Sequence, residues 1–95
     1  NSMAYKPTKR QLLNAQRLGV TITPSTNFRK KLDVHRNGRK ISEIGAIGYM
    51  DYDSYIRKEG IAFANERRRL YKIRHEADRH KKGTAGYYAD QILWN

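Results

Sequence analysis

The stretch "KLDVHRNGRKISEI", residues 31–44, decides the fold, because it is typical of a β-hairpin. Asn37 and Gly38 tolerate the two consecutive positive φ angles that a two-residue type I′ turn requires. A loop of this length predicts one register: Arg36 opposite Arg39, His35 opposite Lys40, and Val34 opposite Ile41. We therefore expect a hairpin with an almost purely cationic tip and with one apolar face, formed by Leu32, Val34 and Ile41.

A short helix is predicted before the hairpin. Thr8 and Gln11 form the Thr-x-x-Gln pattern of a capping box, and Gly19 stands where a left-handed residue ends a helix. We expect a helix from about Lys9 to Leu18, with an apolar stripe of Leu12, Leu13 and Leu18. The following "VTIT", residues 20–23, favours a third short strand that stops at Pro24.

A long basic helix is predicted after the hairpin, over residues 55–81, with Asp51, Asp53 and Ser54 available to cap it. Gly60 costs up to about 1 kcal/mol relative to Ala, so it predicts a break or kink. At 100° per residue, the apolar positions define a core stripe of Ile56, Phe63, Leu70, Ile73 and Ala77, with Ala62 at its margin. Almost opposite lies a basic side of Lys58, Arg68, Arg69, Lys72 and Arg79, with Glu76 as its one nearby counter-charge.

The C-terminal segment is the most aromatic part of the chain. Gly83 and Thr84 predict a helix stop and a new cap, and Tyr88 and Ile92 share one side of the helix that follows. We expect one α+β domain over residues 1–95, with a helix and connector in 3–28 and the hairpin plus two helices in 29–94. Asn1 and Ser2 precede Met3 and are expected to be a remnant of cloning.

Composition limits the classes of function. The 95 residues hold 20 Lys plus Arg against 9 Asp plus Glu, a formal charge of +11, and the pI is near 10.2. This charge favours polyanionic partners, and a chain this short makes a deep catalytic cleft unexpected. With no cysteine, neither disulfides nor a thiolate zinc site can form. Without a long apolar run or a signal peptide, we expect a protein that neither enters a membrane nor is secreted.

Metal and catalytic patterns are weak. His75, Asp78 and His80 are metal-ligand types, but His80 lies about 140° from His75 around a helix, so the three cannot meet at one ion. We therefore expect no metal, no cofactor and no catalysis, with a metal-dependent nuclease as the minority alternative.

Three blocks of the sequence resemble a short uncharacterised family of basic proteins in large DNA viruses of algae and protists, with chlorovirus and mimivirus members. They are "NGRKISEIGAIGYMDY" (37–52), "RRRLYKIRH" (67–75) and "KKGTAGYYADQILW" (81–94). Residues 53–65 are longer than that family's pattern, and Tyr88 and Ala89 depart from it. The resemblance implies a viral protein located in the virion or in the interior of the infected cell, nucleus or cytoplasm. It implies no catalysis and no cofactor.

The sequence as a whole predicts non-catalytic binding of nucleic acid, DNA rather than RNA, through phosphate contacts. The predicted contacts are the basic side of the long helix and the hairpin tip: Lys58, Arg68, Arg69, Lys72, Arg79, Arg36, Arg39 and Lys40. The alternative is a structural protein that meets acidic capsid or scaffold proteins by its charge and uses its aromatic C-terminus for a homo-oligomeric or heteromeric contact.

Overall fold

A computed structural model describes residues 5–95, so the prediction for Asn1 and Ser2 lies outside the described residues. The elements follow in this order: α1 (Lys9–Arg17), β1 (Thr21–Pro24), β2 (Lys30–Arg36), β3 (Arg39–Ala46), α2 (Tyr52–Glu59), α3 (Ile61–Arg74), α4 (Ala85–Tyr88) and a π-helical segment (Ala89–Leu93). The helices pack beside one three-stranded antiparallel sheet, in the order β1-β2-β3. The α+β fold class is confirmed.

The hairpin has the predicted turn but not the whole predicted register. Asn37 and Gly38 have φ angles of 54° and 77°, as a type I′ turn requires. Arg36 faces Arg39 and His35 faces Lys40, as predicted, but a bulge between Val34 and His35 sets Val34 opposite Ser42. The prediction that Val34 faces Ile41 is therefore wrong. The bulge turns Ile41 away from the core, and its side chain is exposed.

The first helix has the predicted capping box at Thr8 and Gln11, and Gly19 adopts the predicted positive φ. Its predicted apolar stripe is wrong for Leu12 and Leu13, which are about half exposed. The buried positions are instead Gln11, Asn14 and Ala15. The two buried amides are satisfied, since Gln11 donates to the Tyr5 hydroxyl and Asn14 donates to the carbonyl oxygen of Ile92.

The predicted long helix is two helices. Gly60, with φ of 94°, separates α2 from α3, so the predicted break is confirmed. The helical region begins at Tyr52, capped by Asp51, and α3 ends at Arg74 rather than near Lys81. Because the break changes the helical phase, the predicted core stripe is wrong at four positions, which are exposed: Ala62, Phe63, Ile73 and Ala77. Ala64 is buried instead.

The core lies between the sheet and the C-terminal segment. Thr84 caps α4 as predicted, by accepting a hydrogen bond from the backbone N–H of Tyr87. The buried apolar side chains include Leu32, Val34 and Ile44 from the sheet and Tyr88, Ile92, Leu93 and Trp94 from the C-terminus. One buried ion pair joins β2 to the start of α2, with Lys31 Nζ 2.9 Å from Asp51 Oδ2.

Within residues 5–95, none of the helices combines the length and the apolar character needed to cross a bilayer.

Candidate nucleic-acid interface

Four of the eight predicted contact residues line one open groove of about 590 Å³ along α3 and the turns after it. We call this surface the basic groove. It is lined by Asn65, Arg68, Arg69, Lys72, Ile73, Glu76 and Arg79. The part of the predicted basic side that follows the break at Gly60, namely Arg68, Arg69, Lys72 and Arg79, therefore forms one continuous surface.

The cations of the basic groove have more acidic partners than the sequence predicts. Asp90, in the π-helical segment, is buried and lies 2.8 Å from Lys72 Nζ and 3.4 Å from an Arg79 nitrogen. Within residues 5–95, the Lys72 ammonium at 2.8 Å is the polar partner of Asp90 Oδ1. Arg79 also pairs with Glu76, and Arg69 pairs with Glu66. The expectation that Glu76 is the one nearby counter-charge is wrong, because Glu66 and Asp90 contribute as well.

Arg68 is the cation of the groove with no carboxylate partner among residues 5–95. Its guanidinium lies over the Tyr52 ring, 4.2 Å from the centroid, and donates to Asn65 Oδ1. These contacts hold the side chain in place without neutralising it. Arg68 is therefore the groove cation whose charge no carboxylate of residues 5–95 offsets by direct contact.

The remaining predicted contact residues lie outside the groove. Lys58 is exposed on α2, beyond the break at Gly60. Arg39 is exposed at the hairpin tip, whereas Arg36 donates to the Leu18 carbonyl and to the Tyr88 hydroxyl over 3.3 and 3.5 Å. Lys40 pairs with Glu43 at 2.8 Å. The structure thus gathers four predicted residues in one groove and leaves four elsewhere.

Most lysines and arginines in residues 5–95 have no carboxylate partner. Within the described part of the chain, six of the 20 lysines and arginines form ion pairs with carboxylates: Arg10, Lys31, Lys40, Arg69, Lys72 and Arg79. Exposed ion pairs such as Arg69 with Glu66 contribute little and exchange readily for other anions. A strong positive field therefore remains at the surface.

The second concave surface lies on another side of α3, and we call it the aromatic cleft. Its volume is about 550 Å³. Five rings contribute to its walls, from Tyr49, Tyr55, Tyr71, His75 and Trp94, and three cations border it, Lys31, Arg67 and Arg74. Gly45 closes one wall, where a Cβ atom would lie 2.8 Å from Leu93 Cδ1. No residue lines both the cleft and the basic groove.

Three rings of the aromatic cleft form a column. The Trp94 indole stacks on the Tyr71 ring, with centroids 4.4 Å apart and planes 11° from parallel. On α3, Tyr71 also contacts the His75 ring at 4.3 Å and 30°. Burial, with the negative charges of Asp90 and Asp78 adding to it, raises the pKa of Tyr71 to about 12, so its hydroxyl remains protonated at neutral pH. The column thus packs the aromatic C-terminus against α3.

The three potential metal ligands lie in two separate pairs. His75 Nδ1 is 3.7 Å from Asp78, whereas His80 Nε2 is 3.0 Å from Glu76. Among residues 5–95, no group of three His, Cys, Asp or Glu side chains is placed to hold a metal ion.

Sequence reasoning missed two features of these surfaces. Asp90 was missed because a single carboxylate in the predicted aromatic C-terminal helix gives no sign that it is buried. The role of Lys31 was also missed, because it follows Lys30 at the start of a strand and no neighbouring residue indicates that it is buried. The comparisons add no relative: no protein-family model matches the chain, and searches of curated proteins and of solved structures gave no significant match.

Proposed function

We propose that the protein binds nucleic acid without catalysis and with little base specificity, by placing phosphates on the basic groove. Support comes from the groove itself, where four long cationic side chains line one surface of α3 and the turns after it. Contacts of this kind are made to the phosphate backbone and carry no sequence information. We propose DNA as the polymer and a virion or an infected cell as the place of action; both extend the resemblance of the sequence to basic proteins of large DNA viruses and are part of the proposal.

The ion pairs inside the groove indicate that its four cations contribute unequally to the affinity for nucleic acid. Lys72 and Arg79 are held by the buried Asp90, so they present their remaining donors from fixed positions. Arg68 and Arg69 lie on the more open part of α3, where Arg69 can exchange the exposed Glu66 for a phosphate. We expect Arg68 and Arg69 to carry the larger share of the affinity.

The test is binding of a mixed-sequence DNA duplex at several salt concentrations. The logarithm of the binding constant should fall with the logarithm of salt, with a slope of about 0.9 per phosphate neutralised. The double variant Arg68→Gln, Arg69→Gln should bind more weakly and show a flatter slope. The control is Arg29→Gln, Lys30→Gln, which removes the same charge from positions that do not line the groove.

Two results would reject the groove. The first is a duplex that does not bind even at low salt. The second is an equal loss of affinity and slope in the groove and control variants, which would assign binding to the general positive field.

An assembly role is the second candidate, and exposed apolar side chains favour it. Ile73 is 61% exposed, and Phe63 and Phe28 are exposed as well. The aromatic C-terminus, which this candidate would use, is buried in the monomer, with Trp94 at 8% exposure. The assembly contact would therefore have to use α3 or the turn before β2. Sedimentation at increasing concentration separates the two candidates, since a protein that stays monomeric without nucleic acid contradicts self-assembly.

A further inference from the structure

The aromatic cleft has the size and the lining of a site for a small organic ligand. Its volume of about 550 Å³ lies inside the range of roughly 300–1,000 Å³ that is usual for such sites. This volume is larger than a lone inorganic anion needs. The rings around it offer flat apolar surface, which favours a ligand that is itself a flat ring.

The rings of the cleft provide surfaces on which the planar part of a ligand can stack. Trp94 and Tyr71 lie at the inner end of the stacked column and are packed against each other, whereas His75 at the outer end keeps a side chain that is 41% exposed. Tyr49, at the same cleft, is 76% exposed and packs on no other ring in the described part of the chain. Two ring surfaces thus remain available for a planar group, and stacking on them does not discriminate among bases.

Two guanidinium groups at the cleft can bind the anionic part of a ligand. Arg67 lies over the Tyr55 ring at 5.5 Å, and Arg74 is exposed. Within residues 5–95 neither of them pairs with a carboxylate. Lys31, by contrast, is neutralised by Asp51 at 2.9 Å. The cleft therefore combines stacking surface with two free guanidinium forks, which suit the oxygens of a phosphate.

From this combination we propose that the aromatic cleft binds one unpaired nucleotide, with its base against the rings of His75 and Tyr49 and its phosphate on Arg67 and Arg74. In a nucleic acid this nucleotide is at a strand end, in a single strand or turned out of a duplex. A phosphotyrosine peptide shares the ring-and-phosphate chemistry. The net charge of +11 favours a polyanion over a peptide with one phosphate.

The site is separate from the basic groove, so nucleotide binding by the cleft can be tested independently of duplex binding by the groove. The two surfaces share no lining residue, so variants can be chosen that change one and leave the other intact. A mononucleotide is too short to report on phosphate contacts along the groove. Binding of a mononucleotide therefore tests the cleft alone.

Trp94 is the one tryptophan of the chain and lines the cleft, so its fluorescence reports on occupancy. The protein is titrated with adenosine and cytidine 5′-monophosphates, and in parallel with the unphosphorylated nucleosides, inorganic phosphate and phosphotyrosine. We expect a saturable change with both monophosphates. Nucleosides and inorganic phosphate should each bind about tenfold more weakly or worse, because each probe supplies half of the contacts.

Variants then assign the site. Arg74→Gln and Tyr49→Ala alter exposed residues and should each weaken mononucleotide binding by about tenfold. Lys82→Gln is the matched control, since it removes one exposed, unpaired positive charge outside the cleft and should change nothing. The groove variant Arg68→Gln, Arg69→Gln should lose affinity for duplex and keep its affinity for the mononucleotide.

Three results would overturn the proposal. One is a folded protein whose fluorescence shows no saturable change with millimolar monophosphate. Another is inorganic phosphate binding as tightly as the nucleotides, which would leave only an anion site. The last is tighter binding of phosphotyrosine, which would assign the cleft to a peptide.

Discussion

The indole of Trp94 and the phenol of Tyr71 are stacked 4.4 Å apart and nearly parallel, which joins the C-terminal segment to the last turn of α3. Tyr55 of α2 meets the same indole at 6.1 Å, with the rings tilted by 48°. The sequence places the most basic segment beside the most aromatic one, and this contact gives a physical reason. One side of α3 carries charge, and another receives the aromatic C-terminus.

Replacing Trp94 with alanine should cost about 3–5 kcal/mol of unfolding free energy, because the side chain is buried and stacked in a domain with a small core. Chemical denaturation measures the loss. Tyr49→Ala, which removes an exposed ring, is the control and should change stability little. If Trp94→Ala is instead folded and sediments as a smaller species than the unaltered protein, the aromatic end is an assembly contact rather than core.

Much of the fold could be predicted because its signals are local. The Asn37-Gly38 turn, the capping box at Thr8 and the break at Gly60 each depend on a few neighbouring residues, and all three are confirmed. Burial is not local in this sense. Periodicity assumes that apolar residues face the core, whereas here Gln11 and Asn14 are buried and Leu13 is exposed, because distant backbone and hydroxyl groups satisfy the two amides.

The candidate surfaces were predictable in part for the same reason. Helical spacing correctly gathers Arg68, Arg69 and Lys72 on one side of α3. Helical spacing cannot place Lys58 with them, because the break at Gly60 puts Lys58 on a different helix. It also cannot reveal Asp90, which approaches from a segment about 20 residues away in sequence. The aromatic cleft depends on contacts between the β3–α2 connection, α3 and the C-terminus, so no single segment indicates it.

The two arginines that face each other at the hairpin tip should differ in their effect on stability. Arg36 makes two long hydrogen bonds to Leu18 and Tyr88, so Arg36→Gln should cost about 0.5–1.5 kcal/mol. Arg39→Gln breaks no hydrogen bond within residues 5–95 and relieves repulsion with Arg36, so its melting temperature should be equal or slightly higher.

If the tip contacts phosphates, both variants should weaken duplex binding to a similar degree, measured at low salt. The two measurements together separate binding from stability. A large loss of melting temperature in Arg39→Gln would identify the tip as a structural element instead.

Asp33 should make the stability depend on acid. Burial opposes ionisation of this carboxyl, but hydrogen bonds from Ser25 and Thr26 and the charge of Lys40 outweigh it, so its pKa lies below the ordinary value. The unfolded chain then binds a proton more readily than the folded protein. The stabilisation is therefore complete above the unfolded pKa of about 3.9, and it is lost as the pH falls through the lower folded pKa.

Asp33→Asn measures this contribution. The variant should be less stable than the unaltered protein at pH 7, and the difference should shrink as denaturation is repeated at decreasing pH below about 4. A difference that stays constant down to pH 2 would mean that the charge of Asp33 contributes nothing and that its hydrogen bonds alone matter.

Asp90 gives a prediction in which stability and binding change in opposite directions. It is buried and faces Lys72 and Arg79, so Asp90→Asn removes the charge that holds both cations and should cost about 1.5–3 kcal/mol of unfolding free energy. The same change leaves two groove cations without their buried counter-charge. We therefore expect the folded variant to bind duplex DNA more tightly, with a steeper dependence on salt.

Glu76→Gln is the control, because it removes an exposed partner of Arg79 and should raise affinity with little change in stability. Weaker duplex binding by folded Asp90→Asn would show that the basic groove needs its cations held in position more than it needs their free charge.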